Sequence, residues 1–273
     1  MEISEELNDS LRAKYNPEGS ELRKYQLRLL DTLVEFDRIC REHGIKYWIS
    51  CGTLLGARRH GGFIPWDDDI DVDITYSEYK KLLAVFQEND KIAIQTPETD
   101  LYCPHHSPKI RDKHSYIHEV RGLDCFKYNG CFIDLFVLED TFELPARILY
   151  WIIIIQSKLL RAQRPYGVIR KSAYKLMKKG SLFFQYTIRA VCKYIPGKHF
   201  GYGYGSPFYR NRLCKEDYNT TGTIEFEGHI FPCPGQIEQF LEHMYGDWRK
   251  MPDLSKLHPH IDECQIFDYN QSK

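Results

Sequence analysis

YWISCGTLLGARRHGGFIPWDDDIDVDI, residues 47–74, decides the fold. An apolar stretch runs into the small-residue turn Gly52-Thr53, and a run of acids opens at Asp67. From Asp69 the acids alternate with Ile70, Val72 and Ile74, the period-two pattern of a strand with one apolar face and one polar face. On extended backbone Asp67, Asp69, Asp71 and Asp73 share one parity, and Asp68 points the other way. Four carboxylates in a row repel one another unless cations sit among them. Such rows hold divalent metals for phosphoryl chemistry. Asp69 and Asp71, each next to Ile or Val, are the expected ligands on a strand over 69–75. Asp67 is expected as an accessory ligand, and Asp73 as a polar strand end.

The residues before the acids supply a complementary device. A strand over 45–50 ends at the turn, Gly52 permits close backbone approach, and a short helix over 53–59 begins at Thr53. A helix N-terminus presents free N–H groups and a positive dipole to phosphate, so Gly52 and Thr53 are expected against phosphate oxygens. A later segment, GCFIDLFVL at 130–138, reads as a buried strand carrying one acid, Asp134. Asp134 would complete a cage for Mg²⁺, with Mn²⁺ as the alternative. Trp66 is expected either to stack on a base or choline or to pack under the acidic strand. His60 reads as an exposed loop residue. His105-His106 and His258/His260 lack the helical spacing with a catalytic Glu that marks zinc hydrolases, so no zinc site is expected.

Outside this block the chain reads as an α/β or α+β core with a basic insert. Residues 1–19 read as a loose polar arm. Leu22, Tyr25, Leu29, Leu33, Phe36 and Cys40 fall at helical spacing, and His43-Gly44 closes that helix. Ser77 is the expected N-cap of a helix to Asn89. Strands are expected near 91–96, 107–111 and 115–121, helices over 142–163 and 170–194, a Gly- and aromatic-rich loop over 196–207, and a short β unit near 223–231. A helix over 235–245 and an irregular tail complete the chain. The expected parts are therefore the arm 1–19, a catalytic core 20–141, a basic segment 142–215 and a C-terminal part 216–273 that completes the site.

Charge is unevenly spread. Fifteen of the 37 Lys and Arg residues, and none of the 38 Asp and Glu, lie between Leu144 and Lys215. Three readings stand open for this segment: contact with an anionic membrane surface, ordinary helix faces, and, least favoured, nucleic acid. The run Leu149–Ile155 beside Lys158, Arg161 and Arg164 favours an interfacial helix, with a buried core helix as its rival. Nine cysteines without a CxxC pair read as reduced thiols. The polar N-terminus shows no signal-peptide pattern, so a cytoplasmic setting is expected, at most at the inner face of a membrane.

The stretch GTLLGARRHGGFIPWDDDIDVDI resembles the signature of the LicD/fukutin family, a branch of the nucleotidyltransferase-fold superfamily. Lys109-Ile110-Arg111-Asp112, Phe132-Ile133-Asp134-Leu135-Phe136 and Tyr245-Gly246-Asp247-Trp248 are similar to later family blocks in the same order, so the likeness spans roughly 25 to 260. Val137-Leu138 stands where many relatives have a proline. The resemblance implies a mixed sheet flanked by helices and a Mg²⁺ held by Asp69, Asp71 and Asp134. It implies transfer of a phospho-alcohol, phosphocholine above all, from a CDP-linked donor such as CDP-choline to a glycan hydroxyl, the glycan being free or lipid-linked. Arg58 and Lys109 would then neutralise charge on departing CMP. The same carboxylates would serve a nucleotidylyltransferase that releases pyrophosphate, and a non-catalytic glycan- or nucleotide-binding protein is the third reading.

Overall fold

The computed structural model describes residues 3–104, 107–119, 126–161, 168–192, 194–195, 197–254 and 261–266. His105, His106, His258 and His260 lie outside the described residues. The N-terminal stretch is not a loose arm. Helix α1 (Glu5–Tyr15) starts at Ser4, whose side chain accepts the Leu7 N–H, and has acids in its first turn and bases in its last. Arg12 and Asn8 then donate to the carbonyl of His60, at 2.7 and 3.3 Å, which docks α1 on the site-bearing segment. Helix α2 (Glu21–Glu42) begins at Ser20, whose hydroxyl accepts the Arg23 N–H, and is followed by Gly44 at φ +61. Tyr25, Leu29, Leu33, Phe36 and Cys40 are buried, as their spacing predicts.

Strand β1 is short (Trp48–Ile49) and runs directly into α3 (Cys51–His60). Strand β2 (Asp71–Thr75) is followed at once by α4 (Tyr76–Val85), whose N-cap is Thr75 rather than Ser77. The chain continues through β3 (Ile92–Gln95), β4 (Lys109–Asp112), β5 (Ser115–Glu119) and β6 (Phe132–Glu139). Helices α5 (Glu143–Arg161) and α6 (Val168–Cys192) form the basic insert, and β7 (His199–Tyr202) and β8 (Leu213–Cys214) return to the sheet. A 3₁₀ turn (Lys215–Tyr218), the hairpin β9 (Thr221–Phe226) and β10 (His229–Pro234), α7 (Ile237–Tyr245) and β11 (Ile261–Ile266) follow.

The main sheet has the order β1-β2-β6-β4-β3, with β7 on the C-terminal end of β6 and β8 beside β7. Among the described residues β2 and β6 are the one parallel pair of this sheet; its other pairs are antiparallel. A parallel pair needs a long crossover, supplied here by α4 through β5. Val72, Ile74, Ile133 and Leu135 enter the same core cluster as Leu29, Leu33 and Phe36 of α2. Two segments read as irregular prove to be strands. Strand β7 arises inside the Gly- and aromatic-rich stretch, and β11 in the tail pairs antiparallel with β5. The acidic strand also starts two residues late, at Asp71: a turn at Pro65-Trp66, closed by the Asp67 N–H on the Ile64 carbonyl at 2.9 Å, leads into it, and residues 67–70 follow without regular structure.

Candidate active site

The register of β2 on β6 places Asp71 opposite Asp134, and that of β4 on β6 places Lys109 opposite Asp134. Three chemically loaded residues thus stand in one row across neighbouring strands. Lys109 donates to Asp134 Oδ1 at 2.7 Å, and its ammonium lies 3.3 Å from the centre of the Phe132 ring. Asp71 is 9% exposed; burial, then the charges of Asp69, Asp134, Asp67 and Asp73, push its carboxyl well above the usual range. Asp67 is pushed the same way by burial and by Asp69 and Asp68. Asp73 is not a polar strand end. It is fully buried, accepts a 2.6 Å hydrogen bond from Tyr218 and is raised by burial to about 7.

Several contacts hold this constellation in place. The Asp71 N–H donates to Thr53 Oγ1 at 2.8 Å, so the Thr53 hydroxyl serves the acidic strand and is itself buried. The Gly52 N–H points at Asp71 Oδ2, 3.3 Å away, rather than at open solvent. A Cβ on Gly52 would stand 2.9 Å from Asp67 Oδ2, which is the close approach that position requires. The left-handed residue of this turn is Cys51, at φ +46. On the other side, Gln26 of α2 donates to the Asp67 carbonyl at 2.8 Å. Glu227, between β9 and β10, accepts from the Phe63 N–H at 3.0 Å and from Arg23 at 2.7 Å. Gln26 and Glu227 carried no sequence signal, since the bonds by which they hold the site reach across at least 41 positions.

A cleft of about 450 Å³ opens beside the acids, lined by Gly52, Trp66, Asp67, Asp69 and Asp71 and by Arg59, Tyr245, Asp247, Trp248 and Lys250. The structure brings Arg59, not Arg58, to this cleft. Arg58 bonds Glu238 of α7 at 2.9 Å, one helical position away from the cleft-facing side. Gly246, at φ +69, ends α7 and returns Asp247 and Trp248 over the acids. The Tyr245–Trp248 block was thus visible in the sequence, but its place in the cleft was not. Trp66 is half-buried at the cleft wall, edge-on to Tyr15 and His60. His60 is buried, not an exposed loop residue. Its Nε2 accepts from Arg59 and its Nδ1 meets Asn8 Oδ1 at 2.7 Å; burial, then the charges of Arg59 and Arg12, lower it to about 3.

The expected cage is not drawn tight in this conformation. Among the described residues, the trio with donor atoms all within 4.8 Å of one another is Cys214, Asp217 and His243, away from the acidic strand, where Asp217 pairs with His243 and Cys214 with Glu216. Asp69, Asp71 and Asp134 stand further apart, with Asp134 held by Lys109. The donor set on the acidic side is oxygen throughout, as a hard divalent ion requires. Asp67, Asp69, Asp71 and Asp134 therefore fit such an ion.

A mixed sheet flanked by helices, with paired acids on adjacent strands beside a helix N-terminus, is consistent with a nucleotidyltransferase-like fold. Residues 44–148 match the family described as LicD/FKTN/FKRP, nucleotidyltransferase domain. The chain is 31% identical over 263 residues to the lipopolysaccharide cholinephosphotransferase LicD of Haemophilus influenzae, covering 90% of this chain and 98% of that protein. A 31-residue stretch is 58% identical to the ribitol 5-phosphate transferase FKRP of Homo sapiens, or 11% of this chain and 6% of that one. The chain belongs to the LicD family, as the resemblance of its acidic block implied.

Proposed function

We propose that this protein transfers a phospho-alcohol, phosphocholine foremost, from a CDP-linked donor to a hydroxyl of a cell-surface glycan or its lipid-linked precursor, releasing CMP. The observation that carries this reading is the Asp71–Asp134 register pair beside the cleft, in a chain similar over nearly its whole length to a lipopolysaccharide cholinephosphotransferase. Mg²⁺, or Mn²⁺ in its place, would be held by Asp69, Asp71 and Asp134 with Asp67 assisting, and would act as a Lewis acid toward the diphosphate. The acceptor oxygen bonds to the choline-bearing phosphorus as the anhydride bond to CMP breaks, and the hydroxyl proton passes to Asp134. Lys109, Arg59 and Lys250 supply positive charge to the departing phosphate.

The cleft wall supports choline as the carried alcohol. Trp66 and Tyr245 stand with Asp67 and Asp247, and aromatic faces beside carboxylates suit a quaternary ammonium group. The test is a donor panel of CDP-choline, CDP-ribitol and the four nucleoside triphosphates, assayed for CMP and for pyrophosphate. CMP from CDP-choline, lost by at least ~100-fold in Asp71→Asn, is the expected result. Preference for CDP-ribitol would reassign the alcohol. Pyrophosphate release would move the protein to the nucleotidylyltransferases, and no turnover of any donor would leave a binding protein.

A further inference from the structure

Helices α5 and α6 each bury one face and leave a second apolar row outside. On α5 the buried positions are Ala146, Leu149, Ile153, Gln156, Ser157 and Leu160. Leu144, Ile148, Trp151 and Ile155 fall at four- and three-residue spacing on the opposite side and are 59%, 42%, 56% and 49% exposed. On α6 the inner row runs Tyr174, Lys178, Ser181, Gln185 and Cys192, where Lys178 donates to the carbonyls of Asp100 and Leu101 and Gln185 to that of Tyr204. Its outer row, Ile169, Leu176 and Phe183, recurs every seven residues at 85%, 74% and 74% exposure. Exposed Lys171, Lys175 and Lys179 run alongside that row, and Arg147 and Lys158 flank the row on α5.

We infer that the outer face of α6, which points away from the α5 side that Gln156 and Ser181 join at 3.0 Å, is a docking surface for an anionic phospholipid bilayer. Exposed apolar rows at helical spacing normally mark an interaction surface. Their chemistry selects the occupant: apolar side chains enter the acyl boundary while neighbouring lysines reach anionic headgroups. The whole segment Leu144–Lys215 contains no acid that would oppose such a surface. No described helix is long and apolar enough to cross a membrane, so the row on α6 suits lying on the surface instead of spanning it. A second copy is disfavoured, because a twofold interface sets identical faces together and would oppose cation to cation. The surface stands on this row and its charges alone and holds whichever donor the cleft accepts.

The full chain should float with vesicles of phosphatidylcholine mixed with phosphatidylglycerol and not with phosphatidylcholine alone, and raised salt should release it. Leu176→Glu with Phe183→Glu should weaken the binding by about 100-fold. Lys171→Gln, Lys175→Gln and Lys179→Gln should each weaken it by roughly fivefold. All these positions are exposed, and unchanged circular dichroism and melting confirm that each variant folds. Failure of the wild type to bind anionic vesicles, or equal binding by the Glu variant, overturns the inference. So does a dimer in light scattering that the Glu variant dissolves, which would assign the row to a second copy. Donor turnover in detergent-free buffer is measured separately, so a failed reaction and a failed surface remain distinct.

Discussion

Thr53→Val removes one hydrogen-bond acceptor and nearly preserves the side chain's shape. Thr53 is 3% exposed, and its Oγ1 is the atom that receives the Asp71 N–H at 2.8 Å. Valine leaves that buried amide without a partner, which costs about 1–3 kcal/mol. For a chain of this size such a loss lowers the melting temperature by roughly 3–10 °C. Thr53→Ser keeps the acceptor and should lose only about 1 kcal/mol with the missing methyl group. The start of β2 also carries Asp71, so kcat for CMP release should fall more than KM rises. The assay is calorimetry on the three proteins, followed by steady-state kinetics. The two roles for Thr53 separate cleanly, because a hydroxyl that contacts substrate phosphate would raise KM and leave melting unchanged. An unaltered melting temperature in Thr53→Val would refute the positioning role.

Gly52→Ala puts a Cβ 2.9 Å from Asp67 Oδ2, and should cut CMP release by ~10-fold or more while melting moves little; wild-type activity would contradict the close approach. Glu227→Ala strips Arg23 and the Phe63 N–H of one shared partner, and should cost about 2–4 kcal/mol in urea denaturation, with a loss under about 0.5 kcal/mol counting against it. His60 is held neutral, with a folded pKa of about 3 against an ordinary value near 6.5, so the unfolded chain takes its proton first as pH falls. The stability from His60 is complete above the ordinary value and drains away between the two, by up to about 1.4 kcal/mol per pH unit. His60→Gln should flatten the acid limb of the stability curve, and superimposable curves would contradict it.

What the sequence disclosed, and what it concealed, follows the range of the interactions. The alternation from Asp69 to Ile74 and the apolar segment around Asp134 announced two strands, because period-two burial is a local property. Their adjacency was expected from the carboxylates they carry and from the family resemblance, and the register of Asp71 on Asp134 now supplies it. Helix α2 was legible to its caps. Helix α1 was not, since it buries only Leu11 and its capping signals, Ser4 with Glu5 and Glu6, sit in a polar stretch. Strand β7 was hidden by glycines and aromatics that it tolerates at the sheet margin. Asp73 was misjudged because its partner, Tyr218, comes from 145 residues away. The choice of Arg58 over Arg59 turned on one step of helix rotation, which a ten-residue helix does not encode without its neighbour α7.

The most direct test of the central claim needs no substrate: melting of the wild type and of Asp71→Asn in chelator and then in Mg²⁺. If the acids on β2 and β6 are a divalent-metal site, the wild type is strained by their repulsion in chelator and gains stability as Mg²⁺ is added. Asp71→Asn, relieved of one buried charge, should melt higher than the wild type in chelator and respond little to the ion. A wild type indifferent to Mg²⁺ and Mn²⁺, or a variant that still gains as much from them as the wild type does, would contradict the account.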